Sequence, residues 1–272
     1  MNCSTNLEDV PRASRKLRAD WLFIYGLRPW YAWLRRAPQE LKPDQLLRAL
    51  RYDLDQNTSL ETELKELEDL IAYVASKINE YVRITHLSPG APSRNQAILL
   101  YIITRLHRPK IVVETGVAQG VSTTFLLRGL HDNKEGRLFS IDLPLFEGGS
   151  NKSRLPPDET FPIPKGLQPG WIVPDDLRDR WGLLQGDCKN LLVPLLDRLG
   201  SVDLFLQDDL HTYKHMLWEF RMTWPHISKE GILLSHDWEK NPAFCQFAWE
   251  NALPLVKCCR IACISRLFAG IE

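Results

Sequence analysis

The sequence predicts an α/β protein built on a doubly wound, mostly parallel sheet with helices on both faces. Three observations carry that prediction. Short apolar runs recur after residue 110: IVVE (111–114), LFSID (138–142), WGLLQGD (181–187), VDLFLQDD (202–209) and GILLSHD (231–237). Helical stretches separate most of them, the alternation that gives a parallel sheet covered on both sides. Each run ends in or beside an acidic residue, and ligands in such sheets bind at the carboxyl ends of the strands.

Composition narrows the class. The chain has 272 residues, 44% hydrophobic and 25% charged. That usage is globular and excludes a disordered or fibrous chain. Thirty-four Lys+Arg balance 34 Asp+Glu, which argues against a nucleic-acid partner held by phosphate neutralisation. No apolar run approaches the ~18 residues of a transmembrane helix. The start, MNCSTNLEDVPRASRK, lacks the apolar core of a secretory signal. The expectation is a cytoplasmic protein with reduced thiols. Cys3, Cys188, Cys245, Cys258, Cys259 and Cys263 form no pair of CxxC elements, so no structural zinc site is expected from spacing. Cys258, Cys259 and Cys263 lie among apolar residues and read as buried packing.

The chain divides near residue 90. Residues 1–90 read as a helical cap or oligomerisation region, and 91–272 as the catalytic domain. Residues 12–36 are basic and aromatic, with Trp21, Trp30 and Trp33 among Arg12, Arg15, Arg18, Arg35 and Arg36. Pro11, Gly26 and Pro29 interrupt any long amphipathic helix there. The stretch reads as an arm packing on its own domain or a second subunit, with a membrane-surface role as the alternative. Residues 59–83 give the clearest helix. Thr58 and Glu61 form a capping-box pattern, and Leu60, Leu64, Leu67, Ile71, Val74, Ile78 and Tyr81 fall on one stripe. That stripe suits a coiled-coil seam in a homo-oligomer or packing against the catalytic domain. Ser93 and Gln96 open a second helix, which Pro109 stops. IVVE, the turn TGVAQG and the helical STTFLLRGL follow. Residues 143–180 carry Pro144, Pro156, Pro157, Pro162, Pro164, Pro169 and Pro174. Proline at this density resists regular structure, and so long a loop reads as a lid or substrate wall, or else as an idle surface loop.

The chemistry gathers at the strand ends. Glu114-Thr-Gly116-Val-Ala-Gln-Gly120 follows a strand and opens a helix. Its glycines allow a tight turn and close backbone approach to a ligand, and the helix start offers unpaired N–H groups. The G-x-G-x-x-G spacing is lacking. Asp142 ends the next strand about twenty residues on, where an acid accepts hydrogen bonds from ribose hydroxyls. Gly186-Asp187 ends the third strand, where an adenine would lie.

Together these residues resemble the cofactor-binding half of class I S-adenosylmethionine (SAM)-dependent methyltransferases, whose fold is Rossmann-like. The resemblance implies a cofactor set of Glu114, Gly116, Gly120, Ser122, Asp142 and Asp187, with Glu114 near the amino group of the methionine part. GWIVPDDLRDRW (170–181), VDLFLQDDLHTYKHMLWEF (202–220) and GILLSHDW (231–238) look like a bacterial group of small-molecule methyltransferases. That group is related to catechol O-methyltransferase, and more loosely to macrocin O-methyltransferases and cephalosporin-hydroxylase-like proteins. The similarity covers roughly residues 93–250. It implies that Asp208 binds a divalent cation, that Asp237 is the second metal acid, and that His211 stands where a Lys deprotonates the hydroxyl. Trp238 replaces the Asn of the catechol pattern. His236-Asp237 replaces the two acids often found in the nearer relatives, which adds His236 to the ligand candidates.

Elementary chemistry agrees in outline. Methyl transfer from a sulfonium needs an oxygen held in line with the methyl carbon. A cation bound by carboxylates lowers the pKa of a hydroxyl, and a histidine of pKa about 6.5 takes its proton near neutrality. Carboxylate-rich sites favour Mg²⁺ or Mn²⁺, while two histidines with a carboxylate also suit iron. In a site without metal, Asp208 and Asp209 cap the following helix and His211 packs on Tyr213. His215 and His226 read as surface or helix-packing residues. The leading expectation is SAM-dependent methylation of a hydroxyl on a small molecule. The alternatives are a non-methylating enzyme on the same fold, using iron for an oxidation or SAM to organise a pocket, and a binding protein that has lost the chemistry.

Overall fold

The structure, a computed structural model, describes residues 38–52, 60–146 and 161–268. The aromatic arm at 12–36, Thr58 of the capping-box pattern and part of the proline-rich loop lie outside the described residues. Eight strands form one sheet among the described residues: β1 Gln39–Glu40, β2 Ile111–Thr115, β3 Arg137–Asp142, β4 Trp181–Gln185, β5 Val202–Gln207, β6 Ile227–Ser235, β7 Val256–Cys258 and β8 Ile261–Ser265. Helices α1 Pro43–Ala49, α2 Leu60–Thr85, α3 Arg94–His107, α4 Val121–Asn133, α5 Cys188–Leu199, α6 Tyr213–Thr223 and α7 Ala243–Glu250 accompany them. No helix among the described residues is long and apolar enough to cross a membrane.

The strand order is β1-β7-β8-β6-β5-β2-β3-β4. Only β8 runs against its neighbours, pairing antiparallel with β6 and β7. The chain leaves β2 toward β3 and β4, then returns to place β5 on the other side of β2. The order therefore reverses between β2 and β5, where open sheets bind their ligands. The five apolar runs became β2 to β6. The last two strands were hidden, because VKCCRIACIS reads as one apolar run. A turn splits it: Cys259 and Arg260 take φ of +50° and +65°, the two left-handed residues of a tight hairpin. Cys258 and Cys263 pack in the core, as their apolar setting suggests.

Local signals explain the helix that supports the site. Ser93 caps α3, its hydroxyl accepting from Gln96 N while Gln96 Oε1 accepts from Ser93 N at 2.7 Å. Arg108 closes the helix in the left-handed region, directly before Pro109. The α2 stripe turns inward. Leu67, Leu70 and Val74 join Ala97, Tyr101 and Ile102 of α3, Val121 and Phe125 of α4, and Ile172 in one apolar cluster. Polar contacts fix the same interface: Arg105 Nη2 donates to Glu63 Oε1 at 2.8 Å and the Tyr101 hydroxyl to Asp132 Oδ2 at 2.9 Å. From Leu67 onward the stripe packs within the chain, as the apolar face of an amphipathic helix must be buried.

Leu67→Ala leaves a cavity between α2, α3 and α4, and is expected to lower stability by about 2–5 kcal/mol. Lys65→Ala, on the exposed side, is expected to change it by under about 0.5 kcal/mol. Denaturant midpoints of the two variants check this. Equal midpoints would show that the stripe carries no core.

Candidate functional site

A cavity of about 800 Å³ opens at the carboxyl ends of β2, β3 and β5. Its floor is the turn after β2. Gly116 takes φ +86°, and a Cβ there would overlap the Asp208 carbonyl. Gly120 takes φ +96°, and a Cβ there would sit 2.7 Å from the Gly170 Cα. Both glycines are thus required by close backbone approach as well as by φ. Asp142, at the end of β3, holds the turn from below: its Oδ1 accepts from Val117 N at 2.9 Å and Ala118 N at 3.3 Å. Its Oδ2 is buried without a hydrogen-bond partner, on a residue that lines the cavity. Burial, only partly offset by the two N–H donors, raises this carboxyl to about 6. A buried acceptor left open beside a cavity fits a ligand hydroxyl.

Glu114 stands behind the turn, outside the cavity lining. It is fully buried. Ser122 Oγ donates to its Oε1 at 2.7 Å, and Thr123 Oγ1 and Ser140 Oγ each donate to its Oε2 at 2.8 Å. Three hydroxyls thus occupy both oxygens of the acid that the resemblance puts near a cofactor amino group. Ser122 lines the cavity while its hydroxyl points back to Glu114. Asp187 sits at the rim and caps α5, accepting from Lys189 N at 2.8 Å.

The proline-rich segment supplies a wall. Gly170 N donates to Ala118 O at 2.9 Å and Ile172 N to Gln119 O at 3.3 Å. The Gln119 side chain, which the sequence did not flag, accepts from Trp171 Nε1 at 2.7 Å and reaches the Phe161 and Pro162 carbonyls at 3.4 Å. Phe161 and Ile163 face the cavity.

On the β5–β6 side, Gln207 and Ser235 are register partners. The next residues, Asp208 and His236, therefore stand side by side. His236 Nδ1 lies 2.8 Å from Asp208 Oδ1, and His211 Nε2 lies 3.7 Å from the same oxygen. Asp208, His211 and His236 each offer an atom to one cluster that could hold a metal ion. Asp237 also lines the cavity. Its backbone takes φ +48°, and its Oδ2 pairs with Lys240 Nζ at 3.3 Å. It lies 3.7 Å from His236 at the edge of the cluster. His211, expected as the base, is the other member of this cluster. Burial works against charge on His236, but Asp208 and then Asp237 outweigh it and raise its ring to about 9. Asp209, next along the chain, turns away to His215, which is buried on its helix, the second of the two readings its sequence offered.

Burial raises the Glu114 carboxyl to about 7 from an ordinary 4.5, against the three hydroxyls. Between those values the folded chain keeps a proton that the unfolded chain has shed, so stability falls as pH rises through that window. Glu114→Gln is expected to flatten the fall in denaturant midpoint between about pH 5 and pH 7. An unchanged slope would show that Glu114 is not the buried acid responsible.

Residues 113–238 match the model of a family described as a methyltransferase domain. No curated protein matches the chain. Among solved structures, cofactor-bound Rv0187 from MTB is 14% identical, with 72% of this chain and 90% of that chain covered and a TM-score of 0.50. A methyltransferase from Geobacter sulfurreducens is 15% identical, with 75% and 94% covered and a TM-score of 0.49. The O-methyltransferase TomG from Streptomyces achromogenes, solved in complex with SAM, is 18% identical, with 70% and 88% covered and a TM-score of 0.46. The match over 113–238 makes that stretch similar to a methyltransferase domain, and the strand order with its reversal between β2 and β5 is that of the class I methyltransferase fold.

Proposed function

We propose that the protein methylates a hydroxyl group of a small molecule, with a divalent cation bound beside the acceptor oxygen. The observation that carries this reading is one cavity lined both by Asp142, with its open Oδ2, and by the cluster of Asp208, His211 and His236. The first suits a ribose hydroxyl of SAM and the second suits a cation and an acceptor.

At the cofactor end, Gly116 and Gly120 let the backbone approach the ligand, Asp142 accepts from the ribose, and Asp187 and Ser122 line the remainder. Glu114 acts through the turn that it holds. At the acceptor end, Asp208, His211 and His236 hold the cation. Two imidazoles with one carboxylate suit Mn²⁺ or Fe²⁺ better than Mg²⁺, which prefers oxygen ligands. A cation there lowers the pKa of a hydroxyl laid against it. In the transfer, the acceptor oxygen forms a bond to the methyl carbon and the carbon–sulfur bond breaks. Its electron pair stays on sulfur, giving S-adenosylhomocysteine. The hydroxyl proton leaves to a base or to water. Positioning supplies much of the rate, and Phe161 and Ile163 add apolar lining to the cavity.

A second reading has its own observation. His236 already satisfies Asp208 at 2.8 Å without any ion. In that arrangement His236 is charged and cannot take a proton, and His211 is the general base. The two readings separate experimentally. With a cation held by the cluster, excess EDTA abolishes S-adenosylhomocysteine formation from SAM and a hydroxylated compound library, and Mn²⁺ or Fe²⁺ restores it. With His211 as base, turnover survives EDTA, and His211→Ala loses about 10²–10⁴-fold in rate together with the acidic limb of the pH–rate profile.

Asp142→Ala is expected to weaken S-adenosylhomocysteine binding by about 1–3 kcal/mol. Asp208→Asn is expected to leave that binding nearly unchanged while turnover collapses. Calorimetry and turnover on the same preparations check both, and no binding to the parent chain would sink the cofactor assignment.

A further inference from the structure

We propose a second metal site, for zinc or a similar divalent transition ion, built from Cys188, Asp209, His215 and Glu219. It shares no donor with the cluster of Asp208, His211 and His236. Asp208 and Asp209 are consecutive residues just past β5, and their side chains serve different clusters. Cys188 is the first residue of α5. His215 and Glu219 lie four apart on α6, on one helix face.

The geometry brings four different donors together. One sulfur, one ring nitrogen and one oxygen from each carboxylate all lie within 4.8 Å of one another. His215 Nε2 is 3.2 Å from Asp209 Oδ2 and 3.4 Å from Glu219 Oε2. Cys188 Sγ is 3.5 Å from Glu219 Oε1. Glu219 is wholly inaccessible, and Cys188 and His215 are 3% and 7% exposed.

The hydrogen-bond inventory does not close around these atoms. His215 Nε2 carries at most one hydrogen but faces two carboxylate oxygens. Glu219 Oε2 is left buried without a hydrogen bond. An unsatisfied carboxylate oxygen at full burial is costly, and an ion between the donors satisfies it. The donor set selects the ion. Sulfur, nitrogen and carboxylate oxygen in fourfold array are zinc ligands, and a thiolate excludes magnesium and calcium. A dication with one thiolate and two carboxylates leaves a single negative charge. The Lys189 ammonium, stacked 3.6 Å over the Trp218 ring, is close enough to interact with Glu219, Cys188 and Asp209 and balances it. Cys188, Asp209 and His215 line the cavity, which gives the ion its way in. Once bound, it would tie α5 and α6 to the end of β5.

The test uses the full chain, stripped with a chelator and titrated with Co²⁺ as a spectroscopic probe. The expected result is a cobalt–thiolate charge-transfer band in the near ultraviolet that persists in the His211→Ala/His236→Ala double variant and disappears in Cys188→Ser. Absence of the band from the parent, or its survival in Cys188→Ser, overturns the proposal. Should Cys188→Ser fail to fold, Glu219→Gln and His215→Gln replace it, and each should weaken Zn²⁺ binding by at least about tenfold. Zinc affinity unchanged in either folded variant also overturns it. In melting experiments the parent and the double variant should gain Tm with excess Zn²⁺, since an ion bound only by the folded state stabilises it; no gain in the parent counts against the site.

Discussion

The cleft depends on how closely the carboxyl ends of β2, β3 and β5 approach one another. Gly116 N donates to Ile141 O, and Asp208 N donates to Thr115 O, both at 2.9 Å. These bonds continue the ladders one step past the strands and bring the Gly116 Cα against the Asp208 carbonyl. No side chain fits between. The chain after β2 must therefore rise over Asp142, whose carboxylate captures its N–H groups. One backbone contact thus aims Asp142 and Asp208 into the same cavity.

Burial of carboxylates is the second organising feature, and the partners decide what each one does. Glu114 is surrounded by hydroxyl donors and has every near neighbour supplied from its own chain. Such a group rigidifies the turn above it, because a fully satisfied buried network specifies one arrangement. Glu219 is equally buried, but beside one hydroxyl, of Thr115, it meets a thiol, an imidazole and a second carboxylate.

The walls of the cavity come from far apart in the chain. Helix α2 packs on α3 and α4, and Ile172 of the proline-rich segment enters the same apolar cluster. Gln119 then links that segment to the turn through its side chain and its carbonyl. Helix α2, the segment at 171–172 and the turn after β2 are therefore joined by one apolar cluster and the hydrogen bonds of Gln119.

The sequence by itself determined the local and periodic features. Apolar runs ending in acids marked β2 to β6, and Ser93 with Gln96 marked the start of α3. The glycines of the first turn and Asp142 at the next strand end marked residues that line the cavity. Each of these depends on neighbours a few residues away, so composition and spacing record them. Only the tertiary structure decided which acids face the cavity and which are enclosed. Glu114 and Asp142 look alike at strand ends, yet Ser122, Thr123 and Ser140 enclose the first and leave the second open. Asp237, expected as a metal acid, lines the cavity beside His236 and pairs with Lys240, while His211 approaches Asp208. Cys188 and His215 carried no signal, because their meeting depends on two helices converging on Asp209 from opposite directions along the chain. Strand order and crossover geometry are non-local, and they alone choose which distant side chains share a site.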